Sequence, residues 1–134
     1  MPKKPIPPTT EHWKNEPEAH DYPAARAYLS LLLGEAATAT VVATLEAAPL
    51  LHHQAKDLLR ASQLALLPED NAHVAADLKK VRRGEHLSPV LLVRGSIRSG
   101  LPLTIADGYH RICASYHLDE NADIPCRLAD MPAG

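Results

Sequence analysis

The residues best suited to chemistry lie together in the stretch IADGYHRICASYH, residues 105–117. Asp107 can accept hydrogen bonds or bind a metal ion, and His110 can carry a proton near neutral pH. Arg111 offers a forked set of donors that suits phosphate oxygens. Gly108 permits a sharp turn and the close approach of another group to the backbone. Together these residue types predict a site for a phosphate-bearing ligand.

A strand that leads into a helix would position these residues. Leu103 to Ala106 is typical of a strand, and the next apolar residues recur at helical spacing: Tyr109, Ile112, Cys113 and Tyr116. Asp107 then stands at the helix N-cap, ahead of unpaired N–H groups that form an anion site. The same residues are equally typical of a capped helix without a ligand. The carboxylate disfavours a bare phosphate, which favours either a pure cap or a ligand that arrives with Mg²⁺.

Before residue 62 the sequence predicts only helices. The first begins at Asp21 and ends at Gly34. Its apolar stripe, which should face the core, consists of Ala24, Ala27, Tyr28, Leu31 and Leu32. Two further helices are predicted at residues 35–48 and 50–61.

After residue 62 short strands alternate with helices. Strands are predicted at residues 63–67, 89–94, 103–106 and 124–128, and the second, PVLLVR, should be buried on both faces. A helix capped by Asp70 or Asn71 and closed by Gly84 separates the first two strands. The pattern predicts an α+β fold with a small mixed β-sheet and an α-helical N-terminal extension. The segments are a Pro-rich flexible lead at 1–20, the extension at 21–62 and the α+β domain at 63–134.

The run from Leu64 to Leu128 resembles the ParB/sulfiredoxin-like fold, a superfamily that includes ParB-like nuclease domains. The matching pieces are LALLPEDNAHVAADLKKVRRGEHLSPVLLV, LTIADGYHRICASYHL and IPCRLA, about half of the chain. The resemblance implies a nucleotide-binding protein. The phosphates would be held at the start of a helix by Gly108, Tyr109, His110 and Arg111.

Differences within the superfamily narrow the expected activity. Sulfiredoxins have a nucleophilic cysteine in a Gly-Cys-His-Arg corner, where this chain has Tyr109, so we do not expect sulfiredoxin activity. Chromosome-partitioning ParB proteins have a Gly-Glu-Arg-Arg type of corner, whereas free-serine kinases of this fold have Asp-Gly-X-His-Arg, as here. We expect ATP or another nucleoside triphosphate with Mg²⁺, and phosphoryl transfer or hydrolysis. Asp107 would be a metal ligand and, with His110, a catalytic residue.

This hypothesis requires two things of the corner. The peptide amides just past residue 107 must be open to a ligand, and Arg111 must not be consumed by an internal ion pair.

Lys79, Lys80, Arg82 and Arg83 leave a second class of function open. These cations could follow the backbone of DNA in a binding or nuclease module, although cations in the last turn of a helix are also expected from its dipole. The net charge of −2 argues against a strongly basic nucleic-acid coat. A third hypothesis is a non-catalytic interaction protein, and a homodimer is compatible with each of the three.

The remaining features predict a cytoplasmic protein with no membrane segment. No apolar run approaches the roughly 18 residues needed to span a bilayer, and the first residues lack the pattern of a signal peptide. Cys113 and Cys126 are expected to be reduced thiols. The segment at residues 11–23, which contains the only tryptophan, could anchor the amino terminus or close over the site as a lid.

Overall fold

The structure, a computed structural model, describes residues 12–132. Most of the predicted lead at residues 1–20 therefore lies outside the described residues. Within them the helices are α1 (Asp21–Leu29), α2 (Glu35–Ala47), α3 (Ala55–Ser62), α4 (Ala72–Arg82) and α5 (Tyr109–Leu118). The strands are β1 (Leu51–Gln54), β2 (Val90–Val93), β3 (Thr104–Asp107) and β4 (Asp123–Ala129). The predicted α+β class with a small mixed sheet is confirmed.

The sheet has the order β1-β4-β2-β3, with β2 parallel to β4 and the other two pairs antiparallel. All four residues of β2 are buried, as predicted. Because side chains alternate along a strand, Val90 and Leu92 join the core formed with α3, α4 and α5. Leu91 and Val93 join a second core formed with α1 and α2. Helices therefore cover both faces of the sheet.

Two predictions near residue 62 are wrong. Leu51–Gln54 is a strand and not the start of a helix, because it pairs antiparallel with β4. Residues 51–62 thus contribute β1 and α3 to the sheet and its core. Residues 63–67 do not form a strand. Their carbonyl groups meet side chains of α5 instead, since the hydroxyl of Tyr109 donates to Ala65 and a ring nitrogen of His117 lies 2.7 Å from the carbonyl oxygen of Leu67.

The predicted apolar stripe of the first helix is also wrong. The helix ends at Leu29, several residues before Gly34, because the chain turns there and Gly34 is the N-cap of α2. Leu31 is therefore outside the helix and 80% exposed. The face that packs against the sheet instead carries Asp21, Ala25 and Leu29.

The segment that precedes α1 is anchored. Trp13 is buried and pairs in parallel with Leu87, next to the start of β2. The N–H of Lys14 donates to the carbonyl of Leu87 at 2.7 Å, and the N–H of Leu87 donates to the carbonyl of His12 at 2.8 Å. This segment is therefore held beside the strand that also contacts the Asp-Gly corner.

Two further predictions can be compared with the structure. Both cysteines are buried free thiols, and burial raises the pKa of Cys126 to about 12. Within residues 12–132 no helix has the length and apolar character needed to cross a membrane.

Candidate functional site

The predicted corner is a direct passage from β3 to α5. Gly108 is the N-cap of α5 and has φ +109°. The first hydrogen bond of the helix runs from the N–H of Ile112 to the carbonyl of Gly108 at 3.0 Å. The amides of Tyr109, His110 and Arg111 precede it and are the unpaired donors that any helix start presents. The predicted donor set for an anion therefore stands at the predicted place.

Asp107 does not cap this helix, contrary to the sequence prediction. It is the last residue of β3, and its Oδ2 accepts a hydrogen bond from Nη2 of Arg111 at 3.0 Å. The same Nη2 lies 3.4 Å from the carbonyl oxygen of Pro89. The prediction of an uncommitted guanidinium is therefore wrong, because Arg111 forms an internal ion pair one helical turn after Asp107. The i, i+4 spacing of the two residues was a signal that could have revealed this pair.

A second carboxylate lies behind the same guanidinium. Asp21 on α1 has a side chain only 2% exposed, and its Oδ1 is 4.0 Å from Nη1 of Arg111. Its Oδ2 accepts from the N–H of Glu18 at 2.9 Å, and its Oδ1 lies 3.4 Å from Nε2 of His20. Burial raises the pKa of Asp107, Arg111 opposes this shift, and the charge of Asp21 adds to it. The sequence predicts Asp21 only as the start of a helix, and nothing local in it indicates the contact with Arg111.

A polar cavity of about 290 Å³ opens beside the corner, between α4, the start of α5 and the segment before α1. Its carboxylates are Glu18, Asp77 and Asp107, and its fixed cations are Lys80 and Arg111. Its imidazoles are His20, His73, His86 and His110. The structure thus brings four predicted residues of the corner together with polar groups from two other segments; the four are Asp107, Gly108, His110 and Arg111.

Helix α4 supplies groups that sequence analysis did not assign to the site. His73, Asp77 and Lys80 lie at i, i+4 and i+7, so they share one face of the helix, and all three line the polar cavity. Burial raises the pKa of Asp77, with Arg111 and then Lys80 opposing the shift. The signal that could have found them is their helical spacing, which places the three polar residues on a face adjacent to the apolar stripe of this helix.

His110 lines the polar cavity at the start of α5, next to a second imidazole. Its ring centroid is 4.6 Å from that of His73. Burial lowers the pKa of His110, and the neighbouring His73 lowers it further. The ring is therefore neutral near pH 7, and a neutral imidazole can accept a proton.

Most of the other predicted site residues do not line the polar cavity. Tyr109 is not among the residues that line the polar cavity, and its ring packs against the core. Of the four cations predicted for nucleic acid, only Lys80 lines the polar cavity. Lys79, Arg82 and Arg83 are exposed at the carboxyl end of α4, where the helix dipole favours cations.

A larger cavity of about 710 Å³ lies between α3, β1 and the turn at residues 95–100. Its wall is mainly apolar, and its two arginines have acidic partners, since Arg60 lies near Asp57 and Arg94 pairs with Asp130. We place the candidate site in the smaller polar cavity because the groups able to bind charge and move protons converge there.

The metal prediction is not supported by a ready-made ligand set. Within residues 12–132 no group of three or more His, Cys, Asp or Glu side chains could hold a metal ion. A magnesium ion, however, often binds through one or two carboxylates and takes its other ligands from phosphates and water. Asp107 fits only a magnesium site of this kind, in which phosphates and water supply the other ligands.

No model of a known protein family matches the chain, and no curated protein or solved structure matches it either. The resemblance to the ParB/sulfiredoxin-like fold therefore stays a prediction. Function has to be inferred from the chemistry of the polar cavity itself.

Proposed function

We propose that the polar cavity binds the phosphates of a nucleoside triphosphate as its magnesium complex. Because Arg111 is engaged by Asp107, Lys80 replaces it in this proposal as the cation that contacts phosphate. The observation that carries the proposal is a convergence of donors in one concave site. Gly108 and His110 at the start of α5, where a helix presents unpaired amides, line the cavity together with Lys80 and His73. Such a set of amides, cations and imidazoles suits phosphate oxygens.

The charge of the polar cavity supports a ligand that brings its own cation. Three carboxyl groups and two fixed cations line it, so the acidic side chains outnumber the fixed cations. A bare triphosphate would meet repulsion there. Burial also raises the pKa of both Asp77 and Asp107, which means that neither carboxylate is well solvated as an anion. A divalent cation between Asp107 and the phosphates would reduce the repulsion and would stabilise the ionised form of Asp107.

The size of the polar cavity favours the phosphates over a whole nucleotide. Its volume of about 290 Å³ is at the lower end of the range of ligand pockets. We expect the phosphates and metal inside and the nucleoside at the mouth. With neutral His110 as a proton acceptor, the matching reaction class is phosphoryl transfer to an acceptor or to water.

Calorimetric titration with ATP, CTP and ADP, each with and without Mg²⁺, tests the proposal. We expect binding that depends on Mg²⁺. Lys80→Ala should weaken it about tenfold, because a charge-assisted contact to phosphate is lost. Lys79→Ala is the matched control, since Lys79 is the exposed neighbour on the same helix and does not line the polar cavity.

Two results would contradict the proposal. One is the absence of binding by the wild-type chain to any of these nucleotides in the presence of Mg²⁺. The other is an equal affinity for the Lys80→Ala and Lys79→Ala variants, which would place the nucleotide away from the polar cavity.

A further inference from the structure

The larger cavity of about 710 Å³, the apolar cavity, extends one of the two cores outward. Its lining includes Leu58 of α3 and Leu92 of β2, which are buried in the core formed with α3, α4 and α5. It also includes Leu128 of β4, which packs against the same core. The volume lies within the range of pockets that hold small ligands. The apolar cavity therefore has the size and the apolar floor of a ligand pocket.

Hydrogen bonds hold the two walls of the apolar cavity in place. The N–H of Leu103 donates to the carbonyl of Ala61 at 2.9 Å, which ties the turn between β2 and β3 to α3. Within this turn, Ser96 and Leu101 exchange backbone hydrogen bonds of 2.8 and 2.9 Å. A Cβ at Gly95 would lie 2.4 Å from the carbonyl oxygen of Leu101, so the two arms of the turn are in close contact. The walls therefore form a pocket that exists before any ligand enters.

The side chains of the lining suit an aliphatic chain better than an aromatic ring system. Six of the 17 residues that line the apolar cavity are leucines, and none of the 17 is Phe, Tyr or Trp. An aromatic ligand would find only the imidazole of His53 to stack against. At the turn, Ile97 and Leu101 expose their apolar side chains to solvent. A hydrocarbon chain in the apolar cavity would remove such surface from water.

Arg60 supplies a cation at the mouth of the apolar cavity. Its side chain is 81% exposed, so it lies at the mouth and not among the leucines. Its partner Asp57, which also lines the cavity, is exposed, and the closest nitrogen–oxygen distance of 3.8 Å is too long for a hydrogen bond. Such an exposed pair is weak. Arg94, by contrast, donates from Nε to Asp130 at 2.7 Å. Of the two arginines in the lining, Arg60 is therefore the one that an anionic ligand recruits at less cost.

We propose that the apolar cavity binds a small aliphatic carboxylate of the medium-chain fatty acid class. The hydrocarbon chain lies against the leucines, and the carboxylate accepts a charge-assisted hydrogen bond from the guanidinium of Arg60. The ligand carboxylate thus replaces Asp57, which is too far away to accept such a bond. The two cavities share no lining residue, so this inference does not depend on the proposed nucleotide site.

Calorimetric titration of the full chain with octanoate, decanoate and 1-octanol tests the inference, with each ligand below its micelle-forming concentration. We expect decanoate to bind about 15 times more tightly than octanoate, because each of its two additional CH₂ groups should contribute about fourfold when buried. Equal affinities for the two acids would contradict an apolar site for the chain.

The role of the cation is tested by Arg60→Gln and Asp57→Asn, which replace exposed side chains. Arg60→Gln should weaken binding of decanoate about fivefold, the range of an exposed ion pair. It should leave 1-octanol unaffected, because an alcohol carries no charge. Asp57→Asn should tighten binding of decanoate about twofold, since the competing carboxylate is removed. Arg26→Gln is the matched control, because Arg26 is an exposed arginine of α1 outside the lining, and it should bind decanoate as the wild type does.

The place of binding is tested by Ala61→Phe. Ala61 is exposed and lines the apolar cavity, so an added phenyl ring fills part of the cavity without entering the core. Binding of decanoate should be abolished, while circular dichroism should show an unchanged fold. Ala36→Phe is the matched control, because Ala36 is an exposed alanine of α2 outside the lining, and its affinity should equal that of the wild type.

Four results would overturn the inference. The first is a wild type that binds neither acid. The second is an equal affinity of Arg60→Gln and Arg26→Gln for decanoate, and the third is undiminished binding by Ala61→Phe. The fourth is a wild type that sediments as a dimer, becomes a monomer in Ala61→Phe and binds no decanoate. That result would assign the apolar cavity to a second copy of the chain.

Discussion

Gly108 allows the start of α5 to lie against β2, because a side chain at this position would occupy space that the strand already fills. A Cβ would lie 2.4 Å from Cγ1 of Val90 and 2.9 Å from Nη2 of Arg111. The residue also has φ +109°, which disfavours any other amino acid. Backbone conformation and close packing thus both require glycine at the N-cap of α5, beside the polar cavity.

We expect Gly108→Ala to lower the free energy of unfolding by about 2–4 kcal/mol, because strain and overpacking add together. Gly84→Ala is the control, since Gly84 has φ +81° but a Cβ added there would meet nothing within 4 Å. It should cost only about 1 kcal/mol, the strain alone. Urea denaturation followed by circular dichroism measures both variants. Equal losses would mean that the contact with Val90 is unimportant.

At the scale of the elements, α4 packs against the core with one face and lines the polar cavity with another. Val74, Leu78 and Val81 are buried on one face, while His73, Asp77 and Lys80 line the polar cavity from another. The start of the helix is fixed by Asn71, whose side chain accepts from the N–H groups of His73 at 3.0 Å and Val74 at 3.2 Å. This cap therefore helps to set the orientation of the three polar groups.

Asn71→Ala should lower the free energy of unfolding by about 1 kcal/mol, because two amides lose their acceptor at the helix start. Asp70→Ala should change it by less than about 0.5 kcal/mol, since Asp70 precedes the cap and is exposed. Urea denaturation of the two variants side by side distinguishes the residues, which sequence alone left as alternatives. A larger loss for Asp70→Ala would contradict the assignment of the cap.

Elements with both a periodic apolar face and a terminal signal could be predicted from the sequence. Helix α4 has its cap and closing Gly84, and β2 has a continuous apolar run, so local rules suffice. Strand β1, with the sequence LHHQ, has no such signal. It is a strand because the edge of β4 is available to it, which is a tertiary effect that local propensity does not contain.

The candidate site likewise combines local features, which could be predicted from the sequence, with tertiary contacts, which could not. The strand, glycine turn and helix of the corner could be predicted because they are local. The burial of Asp21 could not, since charged residues are rarely buried without a partner and its partner Arg111 is far away in sequence. The cap assigned to Asp107 was wrong because its carboxylate bonds the guanidinium one turn later instead of the helix amides.

At the scale of the whole molecule, the two cores share the sheet. Trp13 belongs to the core with α3, α4 and α5, whereas Leu29 belongs to the core with α1 and α2. Neighbouring residues of β2 alternate between these cores. Loss of packing on one face should therefore destabilise the strand on which the other face depends, and the described residues should unfold in one step.

Leu29→Ala tests this coupling. It should lower the free energy of unfolding by about 2–4 kcal/mol, because a fully buried side chain is truncated. The only tryptophan of the chain is Trp13, so its fluorescence reports on the opposite core, while circular dichroism reports on all helices. We expect both transitions in urea to move to the same lower midpoint.

The control is Leu31→Ala, which removes an 80% exposed side chain and should leave both midpoints unchanged. If the predicted extension at residues 21–62 were an independent unit, Leu29→Ala would shift only part of the dichroism signal. The fluorescence of Trp13 would then keep its wild-type midpoint. That outcome would refute a single cooperative unit and would also separate α1, with Asp21, from the stability of the polar cavity.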